Sequence, residues 1–371
     1  MRKSIAIAFV CLFSLACLGT IAAGRAKKSA GPPTYQVDPF WPKQLPNNWV
    51  MAQVGGLTVD RQNHIWVLQR PRSNTPGDIP AAQNPPRSEC CVPAPPVLEF
   101  DQQGNLLKSW GGPGAGYDWP LQEHSIHVDA DGDIWIGGNG ATDRQVLKFS
   151  NDGKFIMQIG HASNAPADSN DTSLLGRPAG IEVDDAAHEV YIADGYLNRR
   201  VIVYDSQTGA FKRLWGAYGH TPNDVDPGPY NPADPPDQQF RTAVHCLHFS
   251  NDGSVYVCDR GNDRVQVFTK QGKFLSEFTL KPATLGLGSF WDFAFSHDPG
   301  QEYMLVADGE NNVIWTVKRS DGTVVGSTGH GGRNAGQFHW VHQIASDSDG
   351  NLYTGEVDTG KRIQKFVLVH N

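Results

Sequence analysis

The sequence predicts an all-β chain closed into a six-bladed β-propeller, and three observations carry that prediction. A segment of one character returns six times along the chain. Each copy alternates apolar and polar residues around an Asp-Gly or similar turn, the period-two pattern of half-buried strands. No stretch sustains the 3.6-residue period of an amphipathic helix. Composition agrees: 40 glycines and 25 prolines with only 19% charged residues suit a protein dense in turns and short strands.

The copies span residues 54–70, 123–140, 179–196, 244–268, 291–317 and 341–357. In each, a short strand enters the turn and an alternating strand leaves it, as in Asp133-Ile134-Trp135-Ile136. A third strand such as Arg264-Val265-Gln266-Val267-Phe268 follows, then a second turn into a fourth. Four-stranded meanders repeated at this period are the blades of a propeller, whose closure removes exposed sheet edges. Residues 35–40 have strand character without a partner of their own and are expected to close the ring by joining the last blade. Residues 25–371 are thus read as one propeller domain.

The segment ahead of it reads as a secretory signal over residues 1–24: Arg2 and Lys3, an apolar run over 5–18, then Ala22, Ala23 and Gly24. The run is short for a bilayer span, so none is expected. A lipoprotein anchor at Cys17 is disfavoured, because Ser14 stands where an aliphatic residue belongs. Export to a periplasm or beyond follows, which permits Cys90, Cys91, Cys246 and Cys258 to be oxidised. Cys246 and Cys258 each sit six residues from Asp252 and are predicted to face each other across a hairpin, as a disulfide or as a thiol pair. A net charge of -8 without a basic tract excludes a nucleic-acid binder. A monomer is expected.

Several residues depart from the repeat, and the repeat itself does not explain them. His124, His245 and His342 each stand eight residues before the glycine of a turn, Gly132, Gly253 and Gly350. The same position in the first, third and fifth copies holds Gly55, Ala179 and Trp291. First strands line a propeller's channel, so histidines in alternate blades form a threefold ring about its axis. Among 13 histidines some align by chance, but this offset is shared by all three and by no histidine of the other copies. Neutral imidazoles so arranged suit zinc, with a fourth position open for water or substrate. His127, His248 and His339 stand three residues from them, on the opposite strand face, and read as packing or supporting groups. Second-strand exits, on the same propeller face as the histidines, carry Arg70, Arg260 and Tyr196, the last following Gly195.

Gly180-Ile181-Glu182-Val183-Asp184 and Asp259-Arg260-Gly261-Asn262-Asp263-Arg264-Val265 resemble the NHL-repeat consensus over nearly the whole mature chain. Within that group the departures are similar to those of the peptidyl-hydroxyglycine alpha-amidating lyases. Their histidine strands are matched around His124, His245 and His342, their tyrosine motif by Ala193-Asp194-Gly195-Tyr196-Leu197-Asn198, and their arginines by Arg70 and Arg260. The resemblance implies zinc on the three histidines, Tyr196 as the catalytic base, Arg70 on the carboxylate of a small-molecule or peptide substrate, and Arg260 supporting developing charge. The implied reaction cleaves a carbinolamide to an amide and glyoxylate. It also implies a structural calcium, held with the carbonyls of Leu57 and Ile126. Gln343 stands where the family has aspartate, and an amide is a weaker calcium ligand, so that site stays open. The prolines before the histidines are absent, no fused copper monooxygenase domain is expected, and the loop 71–96, with Cys90-Cys91, is expected beside Arg70 where substrate enters. Two rival functions stay open as well: another metal-dependent lyase or hydrolase, and a non-catalytic exported propeller that binds protein or glycan.

Overall fold

The computed structural model describes residues 31–369, so the signal reading over 1–24 and the Cys17 anchor lie outside the described residues. Six four-stranded antiparallel sheets stand in a ring. Their first strands are Gln53–Val59, Glu123–Val128, Gly180–Asp184, Val244–Phe249, Asp292–Phe295 and Val341–Ser346. Each packs on the first strands of the neighbouring blades and so lines the axis. Blades one to five are simple meanders. The sixth is closed by the amino-terminal strand Thr34–Asp38, antiparallel to Ile363–Val369 with Thr34 opposite Val369 and Asp38 opposite Lys365. This is the expected closure, with the strand one residue earlier and shorter than the apolar pattern suggested.

The repeated aspartate explains the regularity of the first turn. In blade two, Asp129 Oδ1 accepts from the backbone N–H groups of Asp131 and Asp133, while Oδ2 accepts from Trp135 Nε1 at 2.9 Å. Asp60 with Trp66 and Asp347 with Tyr353 repeat the device in blades one and six. One carboxylate thus satisfies the turn and pins the buried aromatic that packs between blades. Apolar clusters fill every interface between adjacent blades, as where Trp66 and Leu68 meet Ile126 and Ile136, or Tyr191 and Val203 meet Leu247 and Val257. Helix is confined to short 3-10 turns among the described residues. No helix there is long and apolar enough to cross a membrane.

Cys246 and Cys258 face each other in blade four with their Cα atoms 4.9 Å apart and are joined as a disulfide. Cys90 and Cys91 form a second, between sequence neighbours. The loop that carries them is tied down by a parallel pairing of Val92–Pro93 with Trp49–Val50.

Candidate metal centre

The first strands of blades two, four and six share one irregularity. Their pairing with the second strand slips between Glu123 and Ser125, between Val244 and Leu247, and between Val341 and Gln343. Each slip contains the histidine. A bulge lifts a residue out of the ladder and re-aims its side chain, here toward the axis. Blade one slips too, at Gly55, where no side chain exists to aim, while blades three and five run without a slip.

The three imidazoles form a nearly equilateral triangle. Ring centres are 5.0 Å apart for His124 and His245, 4.7 Å for His124 and His342, and 4.9 Å for His245 and His342. One ring nitrogen from each lies within 4.8 Å of the others. Two rings are held by the following blade: His124 Nδ1 donates to the carbonyl of Ala179 at 2.9 Å, and His245 Nδ1 to that of Trp291. Those bonds leave the Nε2 lone pairs free. His342 Nδ1 is buried without a partner. Its counterpart acceptor would come from Gly55, and there the strand is bulged.

Burial, reinforced by Arg70 for His124 and by Arg260 for His245, pushes these imidazoles well below the usual histidine range. Burial and the two neighbouring rings do the same to His342. All three are neutral at pH 7, the form that binds metals. A buried set of neutral nitrogens, two with braced tautomers and one with an orphaned nitrogen, fits a metal ion.

The groups expected at the second-strand exits converge on this triangle. Tyr196 Oη lies 2.9 Å from His124 Nε2, 3.1 Å from His245 Nε2 and 3.3 Å from Arg260 Nη1. Gly195 makes that approach possible, since a Cβ there would stand 2.2 Å from backbone atoms of Val244. Arg70 ends its strand with Nε donating to the carbonyl of Glu123 at 2.6 Å and Nη1 to Gln53 Oε1 at 2.9 Å. The guanidinium of Arg260 lies 4.5 Å over the ring of Trp291 and 5.4 Å over that of Tyr196. Asp259, beside it in sequence, is occupied by Arg264 at 2.7 Å and Asn262 at 2.8 Å, so the Asp-Arg adjacency of the repeat does not neutralise Arg260.

Arg70 and Arg260 are 6% and 3% exposed, and neither forms an ion pair with a carboxylate among the described residues, Glu123 and Asp143 acting on Arg70 only at longer range. Buried cations are normally compensated. These two instead face a cavity of about 330 Å³ that also holds Tyr196 and His342. Sequence reasoning missed Gln53, Asn139, Trp340 and Asp358 in its lining. They stand at strand ends and turns, and although Trp340 belongs to the matched strand of His342 and Asn139 to the second copy, no spacing marked them for a role. The loop 71–96 does not line the cavity, contrary to its expected place at the substrate entrance. It braces the site from behind, where Arg72 pairs with Glu123 at 2.9 Å and Ser73 Oγ accepts from Gln53 N at 3.1 Å.

A larger cavity, about 410 Å³, opens on the other side of the histidine ring. Leu57, Ile126 and Gln343 line it, as do the carboxylates of Glu182 and Asp292. Both carboxylates are taken by His248, at 3.2 and 2.8 Å, and His127 stands 3.9 Å from Glu182. With no acid at 343 and the nearest acids paired to an imidazole, the donors do not fit calcium.

No family model matches the chain. It is 25% identical over 336 residues to peptidyl-glycine alpha-amidating monooxygenase B of Xenopus laevis, a match covering 86% of this chain and 34% of that protein. The chain thus spans about a third of the length of that relative. It is 24% identical over 292 residues to NHL repeat-containing protein 3 of Homo sapiens, covering 75% of this chain and 74% of the other. The chain is a six-bladed propeller that resembles the NHL-repeat and peptidylglycine-amidating proteins. The solved structure of a streptogramin B lyase aligns with a TM-score of 0.50 over 91% of this chain and 98% of its own, at 14% identity, a likeness of fold alone.

Proposed function

We propose that the chain is an exported, zinc-dependent carbon–nitrogen lyase that splits a carbinolamide bearing a free carboxylate into an amide and glyoxylate. The observation that carries this reading is the pair of buried guanidiniums without carboxylate partners, facing a neutral three-histidine cluster across a phenol. A site so built awaits an anion that also carries an ionisable hydroxyl. The resemblance to amidating enzymes supports the same assignment.

His124, His245 and His342 hold the metal. Zinc, when bound, supplies the Lewis acidity that makes a carbinol hydroxyl easier to deprotonate. Arg70 pairs with the substrate carboxylate, where a planar fork matches a planar anion. Tyr196, in its phenolate form, takes the hydroxyl proton and becomes the neutral phenol. The pair left on the hydroxyl oxygen forms the carbonyl of glyoxylate, the C–N bond breaks, and the nitrogen leaves with the C–N bonding pair and recovers the proton from Tyr196 as the neutral amide. Arg260, stacked on Tyr196, offsets negative charge on the phenol oxygen during transfer. No oxidant or reductant is consumed. The reading treats the protein as a monomer, and its export rests on the signal-like residues 1–24 and on two disulfides.

Purified zinc-loaded protein is expected to release glyoxylate from an N-acyl-α-hydroxyglycine well above the rate in buffer. Zinc bound at the histidines with no release would overturn the lyase reading in favour of another metal-dependent reaction. A binding scaffold would show neither metal nor turnover.

A further inference from the structure

We propose that an indole wall in the site cavity selects substrates whose acyl group is apolar, with flat aroyl groups preferred; this rests on the lyase reading above. Arg70, Tyr196, Arg260 and His342 in the lining are used by the glycolate end of the substrate. The apolar part of the lining is Leu287, Trp291, Trp340 and Val357. Trp291, 2% exposed, spends its one polar atom on the carbonyl of Gly288 at 2.7 Å and backs the half-buried Trp340. Arg260 covers one part of the Trp291 ring, and Trp340 lies against it with ring centres 5.4 Å apart.

The wall is held in place before substrate arrives. Trp340 N donates to Asn312 Oδ1 at 2.6 Å, and its carbonyl accepts from Val357 N at 3.1 Å. Leu287 stands at the mouth 46% exposed, an apolar surface that gains by being covered. Asp358 sits at the rim and repels an acyl group carrying its own carboxylate. The volume, about 330 Å³, is at the low end for small-ligand pockets and admits one acyl group beside the glycolate. Charge thus fixes one end of the substrate, and an aromatic or apolar surface the other.

The experiment compares N-benzoyl- and N-acetyl-α-hydroxyglycine by glyoxylate release with zinc-loaded wild type, Trp340→Ala and Leu287→Ser. Wild type is expected to favour the benzoyl compound at least tenfold in kcat/KM. Trp340→Ala should cut that ratio severalfold, chiefly through KM of the benzoyl compound, and Leu287→Ser by less. Equal kcat/KM for the two compounds in wild type, or a ratio unmoved in both variants, overturns the proposal while leaving the lyase reading intact. If neither compound is turned over, the lyase reading fails and calorimetric binding decides: tighter binding of the benzoyl compound that Trp340→Ala weakens retains the wall, and equal or absent binding removes it.

Discussion

At the scale of single residues, the chemistry turns on a phenol placed where three charges or lone pairs meet. Tyr196 Oη touches two imidazoles and one guanidinium, and no carboxylate opposes it. Tyr196→Phe removes only the oxygen. It is expected to retain fold and metal content while lowering glyoxylate release by about 10²-fold, the scale of losing a general base; full turnover would remove Tyr196 from the mechanism. Arg70 acts on binding instead. Arg70→Ala should raise KM for carboxylate substrates by about 10²-fold, roughly the loss of a charge-assisted bidentate contact. Because Arg70 also holds the carbonyl next to His124, the decisive reading is the ratio of acid to methyl ester. That ratio should collapse in the variant, and a parallel loss for both would mark Arg70 as structural.

At the scale of the element, the site is made by departures from a regular strand. Three bulges aim three histidines, and one glycine lets the exit of blade three approach the entry of blade four. Gly195→Ala is therefore expected to cost about 2 kcal/mol or more, as overpacking against backbone does, and to lower thermal stability and turnover together. An unchanged melting temperature with full activity would show that the approach has slack. The blades themselves were legible in the sequence, because alternation and the Asp-Gly turns depend on neighbours in the chain. So was the convergence of the histidines with Arg70, Arg260 and Tyr196, since a ring of equivalent positions turns one spacing into one place. The bulges were not legible: a bulge inserts one residue between hydrogen bonds to a partner strand and leaves the apolar pattern nearly unchanged. The pairing of Asp259 with Arg264 rather than with its neighbour Arg260 was hidden for the same reason, being a matter of side-chain direction.

At the scale of the whole molecule, the axis is held by charge as well as by packing. His248 of blade four bridges Glu182 of blade three and Asp292 of blade five, and Asp292 accepts from Ile344 N of blade six. Burial acts to lower the His248 pKa, but hydrogen bonds to Asp292 and then to Glu182 overcome it and push the group up to about 10. The folded-state pKa is raised, so the clasp's contribution is fully present below the unfolded value near 6.5 and is lost as pH rises through about 10. His248→Gln should cost about 2 kcal/mol near neutral pH and flatten the decline in melting temperature between pH 7 and 10; an unaltered decline would assign it to other groups. This clasp escaped sequence reasoning, which placed His248 correctly off the metal face but had no means of pairing it across blades. The histidine triangle is the second axial link, since its members come from blades two, four and six. The most direct test of the account is therefore the metal itself. Elemental analysis of protein purified without chelator should find about one zinc per chain, largely lost in His342→Ala, and wild type free of any transition metal would contradict a metal centre at the three histidines.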